Sequence, residues 1–138
     1  MPNIDQESAI RLIQATLAAR EKAYCPYSRF AVGAALLTKN GKIYAGCNIE
    51  NTAYSTTLCA ERAAIAAAIA DGQRDFALLV VCGGSEGEEI THDCYPCGTC
   101  RQWLAEFTSD DFPILIAKSE QDYVALTLGE LLPYAFTQ

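Results

Sequence analysis

Residues 56–84 read TTLCAERAAIAAAIADGQRDFALLVVCGG, and how this stretch is read decides the fold. Its first part, Thr56 to Gly72, is alanine-rich, apolar nearly all round and closed by a glycine. Those features describe a central buried helix beginning near Thr57 or Leu58. From Phe76 the chain turns into an unbroken apolar run of the type found in strands covered on both faces. A helix buried all round beside a doubly covered strand implies a sheet lying between helical layers.

Upstream, DQESAIRLIQATLAAREKAY, residues 5–24, places Ile10, Ile13 and Leu17 at spacings of three and four after acidic residues suited to a first turn. This predicts an amphipathic packing helix. CPYSRF breaks that pattern, and two apolar runs then flank Asn40-Gly41, a strong signal for a tight hairpin with strands near 31–38 and 42–47. Downstream, the acidic SEGEEITHD loop leads to PCGTCRQWLAEF, a further helix with Pro96 at its entry. PILIAK and YVALTL predict two short strands, antiparallel because only SEQD separates them, and GELLPYAF finishes the chain. The order of helix, hairpin, helix, strand, helix, strand, strand predicts one α/β domain over residues 1–138 with a mixed sheet, and no internal repeat is visible.

Seven cysteines, an odd number unevenly spaced, argue for reduced thiols rather than a secreted disulfide framework. With no apolar run long enough to span a bilayer and no signal pattern in MPNIDQESAI, the chain is expected to be soluble and cytoplasmic. A net charge of −7 would repel a polyphosphate backbone, and no Lys/Arg cluster overrides it, so no nucleic-acid partner is expected.

The chemistry gathers at two places. Cys97 and Cys100 form a C-x-x-C at a predicted helix start, where free backbone N–H groups and the helix dipole favour thiolates. Cys59 opens the preceding helix and is followed two residues later by Glu61, in a setting where a carboxylate is costly without a purpose or a partner. Three readings stand on these residues: a dithiol redox pair, a structural zinc closed by Cys94 as fourth ligand, and a zinc held by Cys59, Cys97 and Cys100 with its fourth position open for catalysis. The last needs positive charge nearby to offset three thiolates, available from two helix N-termini and from Arg62 or Arg101. Glu61 would then carry protons; otherwise it is a core acid paired with an arginine. Arg62 has an alternative as the salt-bridge partner of Glu61 or Glu106, and Arg101 as a solvated residue on its helix face.

CAE and PCGTC, taken in order with CPYSRFAVGAALLT, GCNIENTAYSTTLCAERAAI and ELLPYAF, resemble the small homotetrameric cytidine deaminases of pyrimidine salvage, over about residues 24–136. The resemblance implies a three-layer α/β/α sandwich around a five-stranded mixed sheet. It also implies hydrolytic deamination of cytidine and 2′-deoxycytidine, with one Zn²⁺ per subunit on Cys59, Cys97 and Cys100 and Glu61 as the proton shuttle. By the same resemblance Phe30 would pack on the base, Asn48 and Glu50 would bind the ribose 3′-hydroxyl, and the Ala60 N–H would hold the pyrimidine O2. Arg62 would donate to the zinc-bound sulfurs, Thr52 and Tyr54 would reach toward a neighbouring subunit's site, and Phe136 would cover a neighbour's base. Tyr95, Thr99, Thr52 and Cys94 depart from the usual pattern. Rival expectations are a zinc-stabilised scaffold without activity and an editor of single-stranded polynucleotides, with an unusual pyrimidine nucleoside or nucleoside antibiotic as a variant substrate.

Overall fold

A computed structural model of the chain describes residues 4–138. The elements run α1 (Gln6–Arg20), β1 (Phe30–Thr38), β2 (Ile43–Cys47), a 3-10 turn at Tyr54–Thr56, α2 (Ala60–Ala70), β3 (Phe76–Ser85), α3 (Gly98–Phe107), β4 (Pro113–Ala117), β5 (Tyr123–Thr127) and α4 (Leu128–Leu131). One five-stranded sheet has the order β2-β1-β3-β4-β5. β3 and β4 are parallel, and every other neighbouring pair is antiparallel.

Period-two alternation sends opposite residues of each central strand to opposite faces. Ala35, Leu78, Val80, Leu115 and Ala117 pack with Ala9, Leu12 and Ile13 of α1. Ala34, Leu36, Leu79, Val81, Ile114 and Ile116 pack with residues of α2, α3 and α4. The result is the expected three-layer α/β/α arrangement with one helix on one face. Each fully buried Leu or Ile in these layers contributes roughly 1.5–3 kcal/mol.

Gly46 lets α2 lie directly on β2, because a Cβ there would stand 2.6 Å from the Ala60 carbonyl oxygen and 2.7 Å from the Ala64 nitrogen. The helix start that carries Cys59 is thereby pressed onto the sheet.

Several boundaries differ from the sequence reading. Asp5 caps α1 through Ser8, but the helix stops at Arg20 rather than running to Tyr24. Tyr24 leaves because its backbone pairs with Asn48 and Glu50. The buried Arg20 guanidinium donates to the carbonyl oxygens of Ala31, Ser85 and Glu88. α2 starts at Ala60 with Cys59 as its N-cap, and α3 starts at Gly98 with Cys97 as its N-cap, which leaves Pro96 just outside the helix. GELLPYAF contributes only the short α4, opened by a capping box between Thr127 and Glu130. No helix among the described residues is long and apolar enough to cross a membrane.

Candidate active site

The N-termini of α2 and α3 bring three thiols together. Cys59 and Cys97 are both extended N-cap residues without a side-chain capping bond, so their sulfurs are free to point at each other. Cys59 Sγ lies 3.7 Å from Cys97 Sγ, Cys97 Sγ lies 3.5 Å from Cys100 Sγ, and all three fall within 4.8 Å of one another. Thiolates around a tetrahedral zinc with Zn–S near 2.3 Å stand roughly 3.8 Å apart. The donor set and its spacing therefore fit that ion. Cys94 is outside the cluster, which removes the closed four-cysteine reading.

The electrostatics agree. Cys59 is drawn down to about 5 by the hydrogen bond it shares with Cys100, helped by Arg62 and Cys97. The same bond, with burial, pushes Cys100 up. Arg62 Nη2 donates to Cys59 Sγ at 3.2 Å and to the Thr57 carbonyl oxygen at 3.4 Å, and its proton affinity is raised by the thiolate. Arg62 is thus the cation beside the sulfurs. Arg101 is elsewhere: its Nε donates to the Pro96 carbonyl oxygen and its Nη1 to that of Leu131, so it ties the cysteine loop to α4 instead of facing solvent.

Glu61 is 3% exposed and forms no ion pair among the described residues. Burial pushes its carboxyl up to about 7, and the nearby Cys59 charge adds to this. A buried carboxyl with no ion pair among the described residues suits a general acid/base better than a paired core acid.

Phe30 opens β1 and is half-exposed. A Cβ on Gly83 would stand 3.0 Å from Phe30 Cε2 and 2.7 Å from Cys94 Sγ, so ring and thiol both border the space over that glycine. Burial, and after it the Glu61 charge, pushes the Cys94 thiol up to about 12. Ala60 is the first residue of α2, so its N–H has no partner within the helix.

Asn48 is buried and its amide bonds twice to β1: Nδ2 donates to the Phe30 carbonyl oxygen at 2.8 Å, and Oδ1 accepts from Val32 N at 2.9 Å. Glu50 Oε1 accepts from Tyr27 N and Ser28 N, and Oε2 accepts from the Ser28 hydroxyl. The Ser28 hydroxyl holds the Glu50 carboxyl below its ordinary range. Ser28 lies in the quoted CPYSRF stretch, but the sequence reading gave it no role. Its signal was a hydroxyl two residues before the aromatic that opens a strand.

Thr52 bonds with the Tyr27 hydroxyl at 2.7 Å, and the Tyr27 and Tyr54 rings meet edge to face at 5.7 Å. Phe136 is 76% exposed, with its carbonyl oxygen held by Gln102 Nε2. Among the described residues, no hydrogen bond or ring contact joins Thr52, Tyr54 or Phe136 to the cysteine cluster within one chain. Thr99 is exposed, so its hydroxyl needs no protein partner. A cavity of about 650 Å³ lies at the other end of β3 between Ile4, Lys39, Phe76 and Phe107, away from all of this chemistry.

Residues 6–116 match the family described as cytidine and deoxycytidylate deaminase zinc-binding region. A cytidine deaminase from Sporosarcina psychrophila is 48% identical over 128 residues, covering 93% of this chain and 90% of the relative. A crystal structure of cytidine deaminase from Burkholderia pseudomallei superposes with a TM-score of 0.83 at 44% identity, covering 91% of this chain and 97% of that one. The crystal structure of the Mycobacterium tuberculosis cytidine deaminase gives 0.79 at 36% identity, covering 99% and 100%.

Proposed function

The chain belongs to the cytidine and deoxycytidylate deaminase family, and from that premise we propose how its residues divide the work of deaminating a pyrimidine nucleoside. The reaction is hydrolysis of cytidine to uridine with release of ammonia, and 2′-deoxycytidine is converted to 2′-deoxyuridine in the same way.

Cys59, Cys97 and Cys100 would hold zinc. When bound, the ion supplies a Lewis acid that makes water a nucleophile at neutral pH. Arg62 and the two helix N-termini offset the negative charge of the thiolates. Glu61 takes one proton from the attacking water and delivers it to N3, which makes C4 electrophilic, then takes the second from the hydroxyl now on C4 and delivers it to the departing amino group. The Ala60 N–H holds O2 of the base, Phe30 packs against its ring, and Glu50 accepts a hydrogen bond from the ribose 3′-hydroxyl. Asn48 retains one amide hydrogen for that hydroxyl after bonding to Phe30. Contact with the 3′-hydroxyl rather than the 2′ explains acceptance of both sugars.

The observation that carries this reading is a buried carboxylate, without an ion pair among the described residues, beside three thiols spaced for zinc. We assign a homotetramer in which Thr52, Tyr54 and Phe136 act at a neighbour's site, because these residues are exposed at the surface of the single chain. Seven free thiols and a net charge of −7 support a cytoplasmic enzyme of nucleoside salvage acting on free nucleosides.

The test is ammonia release and uridine formation from cytidine by zinc-loaded protein beside Glu61→Ala at matched zinc content. The expected result is turnover by the wild type and loss in the variant. A zinc-replete wild type inert toward cytidine and deoxycytidine would overturn the assignment in favour of a scaffold.

A further inference from the structure

The Ser28 hydroxyl stands at a junction. It donates to Glu50 Oε2 and accepts from the Phe30 N–H at 3.0 Å. Its own N–H and that of Tyr27 donate to Glu50 Oε1 at 3.1 and 2.9 Å. Both carboxylate oxygens of Glu50 are therefore fixed from the Tyr27–Ser28 turn, with no ion pair holding them among the described residues. The next residue, Arg29, has φ 57°, a conformation that non-glycine residues rarely adopt. The hydrogen bonds on either side of Arg29 hold that turn closed. Through Phe30 the same turn reaches Asn48, whose amide bonds to the Phe30 carbonyl oxygen.

We propose that Ser28 is a positioning residue for substrate recognition, its hydroxyl fixing the Glu50 carboxylate toward the nucleoside sugar while anchoring the backbone of the base-packing Phe30. The inference rests on the sugar-binding role assigned to Glu50 above. A free carboxylate samples several rotamers. One held by three donors presents its remaining lone pairs in a single direction, and less order must be created when the sugar arrives. The hydroxyl does not touch substrate; it acts through Glu50 and Phe30.

The test measures kcat and KM of the zinc-loaded enzyme and of Ser28→Ala on cytidine and on 3′-deoxycytidine, with thermal unfolding and zinc content recorded for each protein. Ser28→Ala is also built in a Glu50→Gln background. On cytidine, Ser28→Ala is expected to lower kcat/KM about tenfold, the size of a lost charge-assisted hydrogen bond, chiefly through KM. On 3′-deoxycytidine the loss shrinks to roughly a third of that or less, because the partner group is missing. In the Glu50→Gln background, Ser28→Ala adds little further loss on cytidine.

Equal losses on both nucleosides, with a wild type that prefers cytidine, would overturn the proposal alone and leave Glu50 as sugar ligand. A wild type indifferent to the 3′-hydroxyl would overturn the Glu50 assignment and this proposal with it. A fall in thermal stability that accounts for the activity loss on both substrates also counts against it.

Discussion

Cys94 stands where a side chain on Gly83 would go: a Cβ at that glycine would lie 2.7 Å from Cys94 Sγ and 3.1 Å from Cys94 Cβ. Glycine on β3 and cysteine in the loop before α3 are complementary halves of one packed contact, and the Phe30 ring bounds the same space, 3.0 Å from where that Cβ would be. Gly83→Ala is expected to destabilise the protein by about 1–3 kcal/mol through overpacking and to raise KM by displacing Phe30. Removing the thiol in the same chain, as Gly83→Ala with Cys94→Ala, recovers part of both effects. Unfolding midpoints and cytidine kinetics of the two single variants and the double variant check this; simple additivity would refute the contact.

Arg62 is expected to tune the affinity of the thiol cluster for a metal ion. Its Nη2 lies 3.2 Å from Cys59 Sγ, and among the described residues its buried Nε has no hydrogen-bond partner and no carboxylate pairs with it, so the sulfur and the Thr57 carbonyl oxygen hold it there. Arg62→Gln removes the side-chain part of the charge offset and is expected to weaken zinc binding about 10- to 100-fold. Competition with a chromophoric chelator measures it. Zinc affinity equal to wild type would assign the offset to the helix N-termini alone.

Cys59, Glu61, Cys97 and Cys100 are legible in the sequence because their geometry is local: one residue between acid and thiol, two between the paired thiols, each set at a helix start. The layers are legible for a similar reason, since the continuous apolar run of β3 implies cover on both faces. What spacing leaves open depends on contacts across the chain. Arg62 and Arg101 are equivalent candidates in sequence. Arg101 is withdrawn from the sulfurs by the Leu131 carbonyl oxygen thirty residues away. Cys94 looks like a fourth ligand by proximity to Cys97, yet its thiol sits over Gly83 and outside the cluster. The end of α1 is hidden for the same reason, because Tyr24 is taken out of the helix by partners at Asn48 and Glu50.

Arg20 places a buried guanidinium where no carboxylate meets it among the described residues. Its donors satisfy Ala31 O at 3.2 Å, Ser85 O at 2.7 Å and Glu88 O at 3.0 Å, joining α1 to β1 and to the loop that leads to the cysteines. Arg20→Ala strips the donors from these carbonyls and is expected to cost about 2–4 kcal/mol. Arg20→Lys rescues little, because a compact ammonium cannot reproduce the fork. Urea unfolding of both variants gives the numbers; stability within about 0.5 kcal/mol of wild type for the alanine variant would show the clamp to be idle.

Stability at alkaline pH should depend on Cys82, a fully buried thiol that faces α1, with its Sγ 3.8 Å from the Thr16 carbonyl oxygen. Burial pushes it up to about 11 from the ordinary thiol value of 9.0. A folded-state value above the unfolded one means that the folded chain keeps a proton which the unfolded chain releases. This contribution is therefore complete below about pH 9 and is lost as pH rises toward 11, reaching at most about 2–3 kcal/mol. Cys82→Ala removes the titration, at the cost of a small cavity that does not vary with pH. The gap between wild type and variant in urea midpoints is thus expected to be constant from pH 7 to 8.5 and to narrow steadily above pH 9. A gap that stays constant to pH 10.5 would mean that the folded protein lets this thiol ionise, and that the contact between β3 and α1 opens to water well before global unfolding.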